Sequence, residues 1–338
     1  MNYTIRLFSR KSEINSVKGD RVAGVSYALY RMSIFQLCLF LMLSSSFIES
    51  NSQRLNRLFC ISIVSVCVMC VAVGRVIQKL PDGERIAGVT SLDNLLYVLR
   101  STPAGQIEVY DTKSYRLQRH LSVPGLRTGR DMTACSRNRC AYISDGGNKC
   151  VHRLALPGAD AKTWPVGDIP YCVSVTDKHS VLVTCDRVRK IKEFSTDGKL
   201  LNEVSVAQDV VSPGHTIQSF SDEFIVCHGG DYNAVHRVCL VDYDGQVVKA
   251  FGGSKGSDSQ QMNHPVHLAF DKNKFVFVAD YNNHRVLLLS PAMDYVHEVV
   301  ARDKLNGLPT RLCLNADKTC LYIAVNNVMS GRVVVVKV

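Results

Sequence analysis

From about residue 75 onward, the chain alternates short apolar runs with polar turns. The clearest unit, His264–Ser290, contains three runs of five to seven residues rich in Val, Phe and Leu, separated by turns at Asp271–Lys274 and Asp280–His284. Runs of this length and composition, bounded by turn-forming residues, are typical of β-strands. We therefore predict three consecutive strands in this unit.

The same order of strands and turns recurs along residues 75–338. We align the copies on the first aliphatic residue of each third strand, which falls at Ile107, Val151, Ile191, Val238, Val286 and Val333. The spacings are 44, 40, 47, 48 and 47 residues, and Asp-Gly pairs at 197–198 and 244–245 supply tight turns to a fourth strand. Six repeats of about 45 residues, each with four short strands, predict an all-β, six-bladed β-propeller.

The last repeat reaches Val338 directly after its third strand and has no fourth. A matching strand stands alone before the first repeat, at residues 75–80. We therefore predict that these residues form the outer strand of the C-terminal blade. Such pairing joins the two ends of the repeat array and removes two exposed sheet edges.

Before the repeats lie a basic polar leader (residues 1–31) and an apolar segment (residues 32–74) that we expect to be helical. The segment contains two charge-free runs of 17 residues, at 32–48 and 58–74, which is the lower limit for a helix that spans a bilayer. One span, a two-helix hairpin and a soluble leader or signal peptide remain as alternatives.

The basic leader favours a cytoplasmic N-terminus, and a two-helix hairpin would leave the propeller on the same side. We therefore expect a membrane-associated protein, anchored through residues 32–74, with a cytoplasmic propeller. The alternative is a soluble cytoplasmic protein.

The net charge of +10 divides evenly, with +5 on residues 1–74 and +5 on residues 75–338. So mild an excess over the repeats falls well short of the dense basic stripe that tracks a phosphate backbone. Nine of the thirteen cysteines lie in the repeats, mostly inside apolar runs. This pattern predicts that the cysteines are small, buried hydrophobic side chains and that the protein is located in a reducing compartment.

One repeat carries a recognisable motif. Its second turn and third strand are Asp280-Tyr-Asn-Asn-His284-Arg-Val286, preceded by His264-Pro265 and the apolar run 275–279. This unit resembles the NHL repeat, whose family forms six-bladed propellers, notably at the C-terminus of tripartite-motif ubiquitin ligases. His267 stands where the family usually has Gly, and Arg285-Val286 replaces the family's final Leu.

The resemblance implies a non-catalytic scaffold that binds proteins and, more specifically, recognises substrates for ubiquitin ligation. The RING, B-box and coiled coil of those ligases are absent from this sequence, so ubiquitin transfer would need a separate subunit. The sequence also has no nucleophile elbow, P-loop or zinc-protease motif in context. We therefore expect no enzymatic activity and no cofactor, and we expect protein partners such as ubiquitin-ligase machinery.

Four acidic residues recur at the ends of second strands. A carboxylate at that place accepts hydrogen bonds from backbone N–H groups of the following turn, which is a structural role. The four residues are Asp145, Asp186, Asp231 and Asp280.

Three residues are candidates for a metal site in the central channel. Lyases and hydrolases on NHL-like propellers place metal ligands where the inner strands enter the channel. Counted two residues from the prolines that open the blades, Cys172, His215 and His267 share one position and could coordinate Zn²⁺; Arg311 follows a fourth such proline. Counted backward from the next turn, His215 is out of register by two. Both alignments stay open, and a metal-dependent lyase or hydrolase is the third functional alternative.

A basic cluster in the third repeat suggests a further alternative, RNA binding through one propeller face. Arginine and lysine side chains would contact phosphates, and tyrosines at equivalent turn positions would stack on bases. The candidates are Arg187, Arg189, Lys190, Lys192, Tyr232 and Tyr281.

Overall fold

In the computed structural model, the described residues are 74–338, apart from 104, 157, 159, 220–222 and 231–234. They form six antiparallel sheets of four strands each. The inner strand of each sheet contacts the inner strand of the next sheet along the chain. The inner strand of the last sheet contacts the inner strand of the first. The predicted all-β, six-bladed β-propeller is therefore confirmed.

The leader and residues 32–73 of the apolar segment lie outside the described residues. Among the described residues, no helix has the length and hydrophobicity that crossing a bilayer requires.

Each blade runs from an inner strand at the central channel to an outer strand at the rim. Blade 1 contains β2 (Ile86–Leu92), β3 (Leu95–Arg100), β4 (Gln106–Asp111) and β5 (Leu117–Ser122). Blade 2 contains β6 (Gly129–Cys135), β7 (Cys140–Asp145), β8 (Cys150–Ala155) and β9 (Ala161–Pro165). Blade 3 contains β10 (Cys172–Val175), β11 (Val181–Cys185), β12 (Lys190–Phe194) and β13 (Leu200–Ser205).

Blade 4 contains β14 (Pro213–Gln218), β15 (Phe224–His228), β16 (Val235–Val241) and β17 (Val247–Ser254). Blade 5 contains β18 (Pro265–Phe270), β19 (Val276–Asp280), β20 (Arg285–Leu289) and β21 (Tyr295–Val300). Blade 6 contains β22 (Leu308–Leu314), β23 (Cys320–Asn326), β24 (Gly331–Lys337) and β1 (Arg75–Lys79). The described residues add a 3-10 turn at Tyr281–Asn283 and a short α-helix at Arg302–Leu305. We call the channel end where the inner strands begin the entry face, and the opposite end the exit face.

The N-terminal strand β1 is the outer strand of blade 6. It pairs antiparallel with β24, with Val76 opposite Val336 and a bulge at Ile77. The next residue after β1, Leu80, donates its N–H to the Val333 carbonyl at 2.9 Å and is buried between blades 6 and 1. The predicted closure of the ring by this segment is therefore confirmed.

A second set of hydrogen bonds ties blade 6 to blade 1. The side-chain amide of Asn326 accepts from the Ile86 N–H at 2.8 Å and donates to the Ile86 carbonyl at 2.9 Å, although the two residues are 240 positions apart. From blade 1, the buried guanidinium of Arg100 donates to the Gly331 carbonyl at 2.8 Å. Side chains of both blades therefore stabilise the interface between blades 6 and 1, which we call the seam.

The hydrophobic core consists of six clusters, one between each pair of neighbouring blades. Successive strand residues point to opposite sheet faces, so each blade contributes apolar side chains to both neighbours. The six aliphatic residues used to align the repeats are at most 1 % exposed. Six of the nine cysteines in the described residues are buried, and all nine are free thiols.

Truncation of the closing segment tests how much this seam contributes. We expect Leu80→Ala to lower the free energy of unfolding by about 2–5 kcal/mol, because it opens a cavity between two blades. The control Ile77→Ala, on the bulge and 42 % exposed, should cost less than about 1 kcal/mol. Urea titrations followed by tryptophan fluorescence measure both, and equal losses would contradict the role assigned to the seam.

Candidate functional site

A β-bulge near the start of the inner strands brings one residue of each blade to an equivalent position at the channel. The bulge precedes this residue in blades 1, 2, 4, 5 and 6. In blade 3, Cys172 is equivalent because it pairs with Thr184, which pairs with the alignment residue Ile191. From blade 1 to blade 6 the six residues are Gly88, Asp131, Cys172, His215, His267 and Arg311.

This register decides between the two alignments of His215. Pro213 pairs with His228 and His215 with Cys227, as Pro265 pairs with Asp280 and His267 with Ala279. Counting from the blade-opening proline is therefore correct, and the two histidines are structurally equivalent.

The centre of the site is the carboxylate of Asp131, which is 1 % exposed. Its Oδ2 accepts a hydrogen bond from the Val173 N–H at 3.0 Å, and its Oδ1 lies 3.0 Å from Nε of Arg311. The Oδ1–Nε contact is close enough for strong attraction but lacks the alignment of a hydrogen bond. Burial alone would raise the pKa of Asp131, but the positive charge of Arg311 and hydrogen bonding from the His267 side chain lower it. The carboxylate is therefore ionised and balanced by one guanidinium.

The two histidines stack on each other beside this carboxylate. Their ring centroids are 3.7 Å apart, and Nε2 lies 4.0 Å from Asp131 Oδ2 for His215 and 3.5 Å for His267. Nδ1 of His215 accepts the Leu268 N–H at 3.3 Å, and Nδ1 of His267 accepts the Leu312 N–H at 3.2 Å. Since an accepting nitrogen carries no proton, we assign the remaining proton to Nε2 in both rings.

Burial lowers the pKa of His267 and holds the pKa of His215 well below its usual range. Both imidazoles are therefore neutral at pH 7. This leaves the pair Asp131–Arg311 as the charged groups of the cluster, with a net charge of zero.

The same contacts fasten the blades to one another. Asp131, His215 and His267 each accept the N–H of the residue that follows the equivalent position in the next blade. Inner strands present N–H groups that no further strand can pair, and a buried N–H without a partner is costly. The polar side chains of the cluster therefore satisfy the inner edge of the propeller.

Arg311 reaches from blade 6 past blade 1 to blade 2. Its Nη2 donates to the Arg130 carbonyl and its Nη1 to the Thr310 carbonyl. The equivalent residue of blade 1 is Gly88, and a Cβ there would lie 2.6 Å from the Met132 nitrogen. Glycine is thus required by the close approach of blades 1 and 2 beside the ion pair.

Of the three metal candidates, two converge with a carboxylate. Ligand atoms of Asp131, Cys172 and His267 lie within 4.8 Å of one another, while His215 stacks alongside. Zn²⁺ at Nε2 of His267 would require the ring proton on Nδ1, which accepts the Leu312 N–H. It would also be placed beside the Arg311 guanidinium. Because of this His267 tautomer and the neighbouring guanidinium, the donor set does not fit zinc.

The recurring aspartates hold turns on the entry face. Asp145 ends β7 and accepts the N–H groups of Arg127 and Thr128, both at 2.9 Å. Although burial alone would raise the pKa of Asp145, these bonds hold it at about 2. Asp280 ends β19 and binds Arg285 Nε at 2.8 Å.

One of the predicted aspartates does not share that position. Asp186 lies one residue beyond the end of β11, in the turn, and Asp231 lies outside the described residues. The strand-end position is occupied by Cys185 in blade 3 and by His228 in blade 4.

Two of the four basic candidates of blade 3 pair with carboxylates. Lys190 and Lys192 both contact Glu203, and Lys192 also lies 2.7 Å from Asp168. Arg189 donates to the Gln208 carbonyl at 3.3 Å, whereas Arg187 is exposed.

Tyr281 adds little to an RNA face. Tyr281 is half-buried with its ring against His264, at a centroid distance of 5.3 Å. Tyr232 lies outside the described residues. The described candidates therefore do not form one free basic and aromatic surface.

Sequence reasoning missed Asp131 and assigned no site role to Arg311. Blade 2 opens with Gly129 instead of proline, so counting from prolines passed over Asp131. Alignment on the third strands would have found it, because Asp131 pairs with Ser144, which pairs with the alignment residue Val151.

No protein-family model matches this chain. No curated protein matches it either. Among solved structures, hydrazine synthase of Kuenenia stuttgartiensis is similar with a TM-score of 0.55 at 14 % identity, over 77 % of this chain and 97 % of that one. A streptogramin B lyase has a TM-score of 0.54 at 11 % identity, over 74 % and 82 %. Virginiamycin B lyase from Staphylococcus aureus has a TM-score of 0.53 at 12 % identity, over 72 % and 81 %. Identities this low show the shared propeller fold alone, and the NHL repeat type stays a hypothesis.

Loss of the buried cation should destabilise the protein strongly. We expect Arg311→Met to cost about 3–5 kcal/mol, because it leaves the Asp131 carboxylate buried without its partner. The matched control is Arg139→Met, whose ion pair with Asp93 is more than half exposed and should contribute less than about 1 kcal/mol. The double variant Asp131→Asn/Arg311→Met should lose less stability than the two single variants Asp131→Asn and Arg311→Met lose together. Urea unfolding measures all four, and an Arg311→Met variant as stable as the control would contradict the assignment.

Stability should fall on acidification between pH 7 and pH 5. Burial and the charge of Arg237 lower the pKa of His228 to about 4, whereas the unfolded chain protonates histidine near pH 6.5. Below pH 6.5 the unfolded state binds more protons than the folded state. His228 alone therefore lowers the free energy of unfolding by about 2 kcal/mol by pH 5. His215 and His267 act in the same direction. Urea titrations between pH 7 and pH 5 measure the free energy of unfolding. A value that does not change with pH would show that these imidazoles become protonated in the folded protein as readily as in the unfolded chain.

Proposed function

We propose that this propeller is a non-catalytic scaffold that binds protein partners through its entry face. The observation that carries the proposal is the turn between β23 and β24. Val328 and Met329 project there with 84 % and 81 % of their surface exposed, more than the other exposed large hydrophobic residues of the described chain. Methionine and apolar side chains presented this way are common in interface cores.

The base of this turn is held firmly. Asn327 N–H donates to the Ser330 carbonyl at 2.8 Å, and Gly331 forms a bridge with Gly83. Arg332 donates to the Leu305 carbonyl at 3.0 Å. Two apolar side chains on a preordered turn lose little conformational entropy on binding, which favours recognition.

The channel cluster supports a non-catalytic role. Its carboxylate and guanidinium neutralise each other, its imidazoles accept backbone N–H groups, and its thiol stays protonated. A catalytic acid, base or nucleophile needs a group that can reach substrate and change protonation near pH 7. Burial lowers the pKa of both imidazoles, and each Nδ1 accepts a backbone N–H, which argues against such a role for them.

The NHL resemblance narrows the class of partner to ubiquitin-ligase machinery and its substrates. The RNA-binding alternative has less support, because Glu203 and Asp168 neutralise the lysines of blade 3.

Charge placed on the exposed turn should abolish partner binding. We expect the variant Val328→Asp/Met329→Asp to lose partners that copurify with the tagged full-length chain, with little change in the free energy of unfolding. Leu201→Asp, on outer strand β13 and 53 % exposed, is the control and should retain them. Quantitative mass spectrometry of the three samples decides. Ubiquitin-ligase subunits among the lost partners would support the narrower proposal, and an identical partner set in all three would refute the assigned surface.

A further inference from the structure

The channel widens below the polar cluster, toward the exit face. Two residues beyond the equivalent position, most blades contribute a short side chain. These residues are Thr90, Thr133, Ser174, Ile217, Ala269 and Cys313. All six line a cavity of about 200 Å³, which is bounded on the entry side by His215 and His267. The space follows from the small volume of these side chains.

Between its polar atoms, the cavity wall is formed by apolar side chains. Val89, Met132, Val173, Leu268 and Leu312 contribute to it, one from each of five inner strands. The polar atoms are partly engaged within the protein: the Thr90 hydroxyl oxygen accepts the Ala134 N–H at 2.9 Å, and the Ser174 hydroxyl donates to the Thr216 carbonyl at 2.7 Å. The wall therefore favours a compact hydrophobic body.

Lys318 is the charged residue among those that line the cavity, and the lining contains no carboxylate. Its ammonium donates to the Phe270 carbonyl at 3.1 Å and lies 5.2 Å from the centre of that ring. The β22–β23 hairpin fixes its position, because Asn315 Oδ1 accepts the N–H groups of Thr319 and Cys320 at 2.8 and 2.9 Å. A half-buried ammonium is therefore held at the exit mouth of an apolar cavity.

A neighbouring lysine shows a different arrangement. Lys274 extends from blade 5 to Asp177 of blade 3 with an Nζ–Oδ2 distance of 2.8 Å, and its ammonium lies 4.0 Å from the centre of the Phe270 ring. Lys318 has no carboxylate partner within ion-pair distance among the described residues. Burial and the charge of Lys274 lower the pKa of Lys318, while Asp271 and Asp177 act against this effect. An anion at the mouth would supply the missing countercharge.

We propose that the exit end of the channel binds a small monocarboxylate with a compact apolar or aromatic body. The carboxylate pairs with the Lys318 ammonium, and the apolar body enters the cavity toward the stacked histidines. An apolar cavity of roughly 150 Å³ is enough to hold benzene, so this one suits a ligand with a single ring. The site is separate from the protein-binding turn on the entry face and does not depend on it.

Benzoate is the probe for this proposal, with benzamide and benzylamine as neutral and cationic analogues of similar size. Isothermal titration of the full-length chain should show saturable binding of benzoate and at least about tenfold weaker binding of both analogues, because only benzoate pairs with the ammonium. Lys318→Met, which keeps most of the length of the side chain and removes its charge, should weaken benzoate binding by at least about tenfold. Lys318→Arg should retain most of it.

Two further variants separate loss of the site from loss of the fold. Lys274→Met removes the neighbouring lysine and should change benzoate affinity by less than about threefold, since Asp177 already neutralises it. Ala269→Leu fills the cavity and should abolish binding, and urea unfolding verifies that each variant remains folded. Absence of saturable binding to the folded wild-type chain would overturn the proposal. Equal affinity of the wild type and Lys318→Met, or equal affinity for benzoate and benzamide, would do so as well.

Discussion

The ring of blades depends on the antiparallel hydrogen bonds between β1 and β24. Six wedge-shaped sheets pack around a channel only if the sixth also packs against the first, and that interface includes Leu80, Asn326 and Ile86. Each hydrogen bond adds only about 0.5–1.5 kcal/mol. Their combined effect is larger than this figure suggests, because they keep the sixth blade complete and so keep both of its hydrophobic faces covered.

Closure creates a second requirement at the centre. Inner strands have neighbours on their outer side only, so N–H groups at the channel need side-chain partners. Asp131, His215 and His267 supply acceptors to the next blade. A buried carboxylate requires a cation, and Arg311 provides it across blade 1, beside Gly88. The inner strand edges and charge balance thus account for the contacts of the polar cluster.

The two ends of the channel consequently differ. At the entry end, polar side chains fill the space and contact one another and the backbone. At the exit end, short side chains leave a cavity of about 200 Å³, and within the described part of the chain the Lys318 ammonium at its mouth has only a carbonyl acceptor. The first arrangement suits a rigid scaffold with binding surfaces on its loops. The second leaves room and charge for a small anion.

The sequence by itself determined the blade number, the strand order and the closure by the N-terminal strand. Those features depend on local periodicity and on a repeat spacing near 45 residues, and every alignment residue from Ile107 to Val333 is in register in the structure. Only the tertiary structure decided which polar residues meet. A bulge shifts the inner-strand register by one residue, and Asp131 and Arg311 are 180 positions apart, so local patterns contain no signal for their pairing. Likewise, pairing of Lys190 and Lys192 with Glu203 depends on the cross-strand register of β12 and β13, and a basic run in the sequence does not reveal whether carboxylates of the next strand neutralise it.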